Sequence, residues 1–349
     1  GSVPYGNDVN ISLQVIYSDS ASQWYDGDPI TGLSSSDFVI TGGHSFNVYE
    51  LGNGNYIFEI LNGTVLTLGT YNEYLSLIEG GLYLSDNRSV SWTIRKLIST
   101  ITVDPIADIP YGNEVTATVH AIYDDSASQW YNGRGITGLT DADFNVTGGH
   151  TFHITEIGLG TYTLTLENNT ILTLQSYTET LTLYEGSNFT SDTTSFTFTV
   201  RQLYTELVAD VVPAQPLGED VTITVHYRVK DTASLYYNGD DISGAHINIT
   251  TGGYTYGTEY NVNELGNGDY QVIIDSSVLD TIQSYTVNLN ASNVANYANA
   301  TTSSSFDIRA ISTSFIYTAP SPTPWGSNVS IELSFSVEDS SSSQHGNPL

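Results

Sequence analysis

The chain has 349 residues, with 38 acidic against 8 basic side chains and a formal net charge of -30. A surface so poor in Lys and Arg cannot neutralise phosphates or an anionic bilayer, which excludes nucleic-acid binding and makes a charged membrane surface a poor partner. Cys and Met are absent, so disulfides and thiolate metal sites are excluded, and no run of about 18 apolar residues is present to span a membrane.

A long repeat organises everything else. Pro4-Tyr5-Gly6-Asn7 precedes an alternating strand, then Ser20-Ala21-Ser22-Gln23-Trp24-Tyr25-Asp26-Gly27. The pattern returns as Pro110-Tyr111-Gly112-Asn113 with Ser126 to Gly133, and again as Pro216-Leu217-Gly218 with Thr232 to Gly239. A last copy starts at Pro324-Trp325-Gly326-Ser327 and breaks off at Leu349. Gly6 and Gly112 stand 106 positions apart, and Gly218 follows after another 106. Each period is long enough to bury its own core, so the expected domains are 1–97, 98–203, 204–310 and the start of a fourth at 311–349.

In chain order, Val9, Ile11, Leu13, Val15 and Tyr17 alternate with polar neighbours, a period of two with one buried face. The same alternation recurs from Val115, from Val221 and from Val329. A polar loop carrying Trp24 follows, then Phe38-Val39-Ile40 and a Thr41-Gly42-Gly43-His44 turn. Gly52-Asn53-Gly54 predicts a hairpin into Tyr56–Ile60. Gly69-Thr70-Tyr71 opens a strand through Leu77, and Val90–Ile94 closes the repeat. Roughly seven strands with turn signals every 8–12 residues predict an all-β array of antiparallel sandwiches and no helix. A lead strand at Ile98–Val103 recurs at 203–212 and at Ile311–Tyr317, but nothing equivalent stands before Pro4. The simplest expectation is a window cut from a longer array; the sharper one is exchange of strands between copies. Arg95-Lys96-Leu97, Arg201-Gln202-Leu203 and Arg309-Ala310 sit at matching junctions. They are read either as solvated side chains or as contacts with an acidic loop of the next domain.

No arrangement of residues predicts catalysis. His120 and His226 share one repeat position on the polar face of a strand, where the first repeat has Gln14. His44 and His150 follow the Gly-Gly turn, where the third repeat has Tyr254, and a catalytic or metal role would not drift in this way. Asp19, Asp26, Asp28, Asp124, Asp125, Asp231, Asp240 and Asp241 flank the Trp loop and offer hard oxygens suited to calcium. EF-hand spacing is missing and Asp commonly serves turns, so calcium is a minor alternative and no cofactor or metal is expected. Lys96 and Lys230 stand at non-equivalent positions, which argues against a repeating Lys–Asn isopeptide bond. Trp24, Trp130 and Tyr236 are expected to cover one end of each sandwich or to pack at a domain contact; the alternative is an exposed sugar-stacking platform.

Glycosylation is the strongest chemical signal. Asn-x-Ser/Thr occurs at Asn10, Asn62, Asn87, Asn145, Asn168, Asn188, Asn248, Asn290, Asn299 and Asn328. The excess over chance is modest in so Ser/Thr-rich a chain, but Asn62 and Asn168 share a repeat position, and Asn87, Asn188 and Asn299 each precede a closing strand. An N-glycan needs such surface positions.

The polar loop with Gly27-Asp28-Pro29-Ile30-Thr31-Gly32, the truncated Gly346-Asn347-Pro348-Leu349, and Gly52-Asn53-Gly54-Asn55-Tyr56 with Gly266-Asn267-Gly268-Asp269-Tyr270 resemble bacterial and archaeal Ig-like repeats of surface proteins, including invasin-type adhesins. The resemblance covers the whole chain, although Gly133-Arg134-Gly135-Ile136 and Gly239-Asp240-Asp241-Ile242 lack the Pro. It implies tandem Ig-like sandwiches acting as a stalk, surface layer, adhesin or fibre. The expected protein is therefore a non-enzymatic, extracellular, prokaryotic fibre or stalk whose partners are N-linked glycans, neighbouring Ig-like domains and copies of itself. The alternative is the stalk of a cell-surface adhesin whose binding domain lies outside this segment.

Overall fold

A computed structural model describes residues 1–63, 67–168 and 173–348. These residues pack as two compact units, one drawn from 1–107, 114–168 and 176–198, the other from 108–113, 173–175 and 199–348. Among the described residues there is no α-helix, only strands and five short 3-10 turns. The chain is all-β, a tandem series of antiparallel Ig-like sandwiches.

In the first unit, one sandwich pairs a three-stranded sheet with a four-stranded one. The three-stranded sheet runs Val9–Gln14, Asn55–Ile60, Phe46–Gly52. The other runs Ser2–Pro4, Asp86–Arg95, Gly69–Leu77, Phe38–Ile40. The next sandwich has Ser99–Val103, Val115–Tyr123, Thr161–Leu166, Phe152–Gly158 in one sheet. Its other sheet is Ile109–Pro110, Asp192–Arg201, Ser176–Leu183, Phe144–Val146.

The second unit holds the third copy of this plan. Thr205–Ala209, Val221–Val229, Asp269–Ile274 and Tyr260–Gly266 make one sheet. Gln215–Pro216, Ala300–Arg309, Ser284–Ser292 and His246–Ile249 make the other. A two-stranded ribbon of Thr313–Thr318 and Glu332–Val337 follows.

The strand order is the Ig order. The lead strand splits in two: its first half pairs antiparallel with one sheet (Thr102 opposite His120), and its second half crosses to pair parallel with the closing strand (Val200 opposite Ile109). A tyrosine at the start of the sixth strand bonds back to the chain four residues earlier: the Tyr71 hydroxyl donates to Thr67 O at 3.0 Å and Tyr285 to Thr281 O at 3.3 Å. Such a tyrosine corner marks Ig-type sandwiches.

The core follows the period of two. Val221, Ile223, Val225, Tyr227 and Val229 are all buried, and their alternate neighbours face outward. Tyr56, Tyr162 and Tyr270 are wholly buried. Each hydroxyl is satisfied by backbone: Tyr162 donates to Ile136 O at 2.7 Å and accepts from Leu139 N at 3.3 Å. This ties the loop leaving the second strand to the fifth strand.

Candidate functional site: a repeated latch between sandwiches

Three junctions are built alike. Arg95 ends the closing strand of the first sandwich and forks both guanidinium nitrogens onto Asp125, at 2.5 and 2.9 Å. In the second unit Arg201 does the same to Asp231, at 2.5 and 3.1 Å. Arg309 likewise holds both oxygens of Asp339. The three carboxylates are nearly inaccessible to solvent (1%, 1% and 4% exposed), whereas the arginines keep part of their surface in water. The same Arg nitrogen also donates to the next carbonyl, Lys96 O, Gln202 O or Ala310 O. Planar forks of this kind are the strong, directional form of an ion pair.

The loop around each Asp completes the socket. Asp125 accepts from the backbone N–H groups of Ile98 and Ala127, both at 3.2 Å. Its Arg partner first, and these amides second, hold the Asp125 carboxyl below the usual carboxylate range, and Asp231 and Asp339 are lowered by the same causes. The Arg95, Arg201 and Arg309 guanidinium groups are correspondingly raised by their Asp partners.

A second contact runs from the Pro-Tyr-Gly-Asn turn. The Asn7 amide donates to Ala127 O at 3.0 Å and accepts from the Ser128 hydroxyl at 3.2 Å. The Asn113 amide donates to Ala233 O at 2.9 Å and accepts from Leu235 N at 3.2 Å. At the third junction Glu219 replaces Asn and accepts from Ser343 N at 2.6 Å, which lowers its pKa. Gly6 and Gly112 have φ near +80°, and a Cβ there would lie 2.6 Å from the Tyr131 ring and 2.4 Å from the Tyr237 ring. Only glycine meets both the backbone and the contact.

The arginines at the boundaries are thus not solvated side chains but the anchors of the junction. The signal was present in the sequence: Arg and Asp stand 30 positions apart at all three junctions. The aromatic residues of the same loop go the other way. Trp24 is 81% exposed, Trp130 50% and Tyr236 52%, so they neither cap a sandwich nor pack at the junction. The following tyrosines, Tyr131 and Tyr237, take that place, because the loop's turn points one ring of each pair inward and the other out.

The histidines are divided. His150 is buried and sits 3.2 Å from Glu179, which also accepts from Thr147 at 2.5 Å. Thr41, His44 and Glu73 repeat the group. His153, exposed between Asp141 and Glu167, is raised by those bonds, and His226 is raised by Asp269 and then Asp210. His120 lies 3.4 Å from Asp104, part-exposed. Among the described residues no three metal-ligating side chains come together. Of the loop carboxylates, Asp125 and Asp231 are taken by arginine and Asp241 by Arg228. Two open grooves, one lined by Thr250, Asn288, Thr301, Thr302 and Ser303 and one by residues around Asn10 and Trp92, carry no acidic, basic or histidine side chain.

Of the sequon asparagines, Asn10, Asn62, Asn87, Asn145, Asn168, Asn299 and Asn328 are exposed, while Asn188, Asn248 and Asn290 are half-buried. The third residues of the Asn62 and Asn168 sequons, Thr64 and Thr170, lie outside the described residues. The Asn62 amide donates to Gly6 O, and the Asn188 side chain bonds the Tyr123 hydroxyl.

No family model and no curated protein matches the chain. Among solved structures, the titin domains Z1Z2 in complex with telethonin align over 61% of this chain and 98% of that one, at 14% identity and a TM-score of 0.34. The N-terminal eight Ig domains of Down Syndrome Cell Adhesion Molecule align over 92% of this chain and 37% of that one, at 11% and 0.26. An endo-fucoidan hydrolase of glycoside hydrolase family 107 aligns over 89% and 43%, at 11% and 0.23. Likenesses this loose say nothing further of the chain, whose fold stands on its own strand order.

Proposed function

We propose that this chain is a structural segment of an extracellular, prokaryotic fibre or stalk, whose work is length, spacing and resistance to load rather than catalysis. The observation that carries the reading is the Arg–Asp latch, repeated at three junctions with a fixed 30-residue spacing. A flexible tether needs no such device, and Gly/Ser-rich linkers would serve it better. Here the junction is directional, mostly dry and formed from side chains of both neighbours. N-glycans on the sequon asparagines and neighbouring Ig-like domains or further copies of the chain are its proposed partners. No metal is required, because the carboxylates best placed to hold one are already neutralised by arginine.

The adhesin reading keeps one observation in its favour. Trp24, Trp130 and Tyr236 offer an exposed aromatic ring at the same place in the first three repeats, and stacking on such rings is a common way to bind sugars or protein loops. Electron microscopy of the native particle separates the two: long filaments built of this chain support the fibre, and short cell-bound stalks ending in a distinct domain support the adhesin. A soluble monomer with an enzymatic domain attached would overturn both.

A further inference from the structure

The two sheets of each sandwich differ in outward chemistry. On the sheet that contains the closing strand, the first sandwich turns out Thr70, Asn72, Tyr74 and Ser76 against Thr93, Ser91, Ser89 and Asn87. The second presents Asn145, Thr178, Thr180, Thr182, Ser195 and Thr197, also without a charge. The third has Thr286, Asn288, Asn290, Ser303 and Thr301, and its charged or titratable side chains, Asp307, Arg309 and His246, stand at its margins. The opposite sheets carry Glu59 in the first sandwich, His120 and His153 in the second, and Glu206, His226, Arg228 and Asp269 in the third. In a chain of net charge -30, three successive neutral hydroxyl-and-amide faces need a reason.

Four sequons lie on these faces. In Asn87-Arg88-Ser89, Asn248-Ile249-Thr250 and Asn290-Ala291-Ser292 the acceptor amide and the hydroxyl are two apart, so on or beside a strand both point to the same side, whereas in Asn145-Val146-Thr147 the Thr147 hydroxyl turns in to Glu179. That side is outward, because Val146, Ile249 and Ala291 are buried. Asn248 and Asn290 are moreover directly opposed across the antiparallel ladder, and Asn290 is opposed in turn by Thr301. An open groove beside them is lined by Thr250, Asn288, Thr301, Thr302 and Ser303.

We propose that the neutral sheet is the glycan-bearing face: sugar attached at Asn87, Asn145 and one of Asn248 or Asn290 lies along the Ser/Thr/Asn ladder, whose hydroxyls and amides exchange hydrogen bonds with sugar hydroxyls. This rests on the glycoprotein reading above and adds where the sugar sits and which sites exclude each other. Side chains directly opposed in an antiparallel pair have Cβ atoms about 5 Å apart, too close for two branched sugars to leave the sheet side by side. Asn62 and Asn188, whose side chains already bond the protein, are expected to stay bare.

The test is site-resolved glycopeptide mass spectrometry of the full chain purified from the cells that make it. Occupancy at Asn87 and Asn145, with Asn248 or Asn290 modified but never both on one molecule, is the expected result. An Asn248→Gln variant expressed in the same cells should raise occupancy at Asn290 several-fold. Molecules modified at both positions, or sugar confined to Asn10, Asn62 and Asn168, would overturn the assignment while leaving the glycoprotein reading intact. A chain with no sugar at all removes both. Copies that associate through bare neutral faces would assign the ladder to self-contact instead.

Discussion

The Tyr162 hydroxyl shows how a single atom can hold a loop to a strand. It is buried, donates to Ile136 O and accepts from Leu139 N, so its removal strands two backbone groups in a dry interior. Tyr162→Phe is expected to cost about 2 kcal/mol, read as a shift in the urea midpoint without a change of slope. The Thr147–Glu179–His150 group, whose Glu179 and His150 side chains are buried, offers a finer test. The third repeat has Tyr254 in place of the histidine and Val287 in place of the glutamate, and Val287 is fully buried. The hydroxyl of the turn threonine keeps its own backbone bond in every copy, to Tyr74 N, Thr180 N or Asn288 N. The pair therefore changes together while the turn stays. Glu179→Val alone orphans a buried His150 ring. Glu179→Val with His150→Tyr should recover stability, giving a coupling of about 1 kcal/mol or more in a double-mutant cycle.

At the scale of elements, the junction depends on a strand end meeting a loop. Arg95→Ala would leave Asp125 buried without its counter-charge. The expected loss is about 2 kcal/mol, below the range for a fully buried pair because the guanidinium is partly in water. The pH dependence has a definite sign. The folded Asp125 and Asp231 carboxyls sit below their unfolded value, near 3.9, so the folded form binds fewer protons in that range. Their contribution is complete above about pH 4 and is lost as pH falls through the depressed values. Thermal melts of the wild type and of Asp125→Asn should differ at pH 7 and converge below pH 4. A constant gap down to pH 2 would mean that the carboxylate's charge is not what matters.

At the scale of the molecule, charge and metal make opposite demands. A chain of net charge -30 invites divalent cations, and its Asp-rich loops left calcium as a minor alternative. Yet each of the three junctions places an arginine on its most buried carboxylate, so the counter-charge is supplied by the chain itself. Melting in calcium and in excess chelator should coincide within a degree. A rise of several degrees with calcium would reveal a site formed by other carboxylates, Asp19, Asp26 and Asp28 being the first to substitute. Raised salt should stabilise the whole chain modestly by screening its like charges, and should barely touch the dry latches.

Much of this protein follows from the order of its residues alone. A period of two repeated in four copies decides strands and their buried faces, because side chains alternate across a sheet whatever lies beside them. The Asn-Gly and Gly-Gly turns decide where the chain reverses, since only residues tolerant of positive φ fit there. Those local rules placed Gly69–Leu77 and Val115–Tyr123 at the limits the fold has. What they could not decide was the fate of side chains whose partner is distant. Arg95 looks like any surface arginine until Asp125 is brought over it, and Trp24 looks like an end cover or a domain contact until the loop turns it to solvent. Long-range contact is settled by which loops the sandwich brings to one end, and hydropathy along the chain is silent on that. The turn of Pro4-Tyr5-Gly6-Asn7 and its copies is where the two levels meet: the glycine is legible as a turn, but only the packed structure reveals the Tyr131 ring that forbids anything larger.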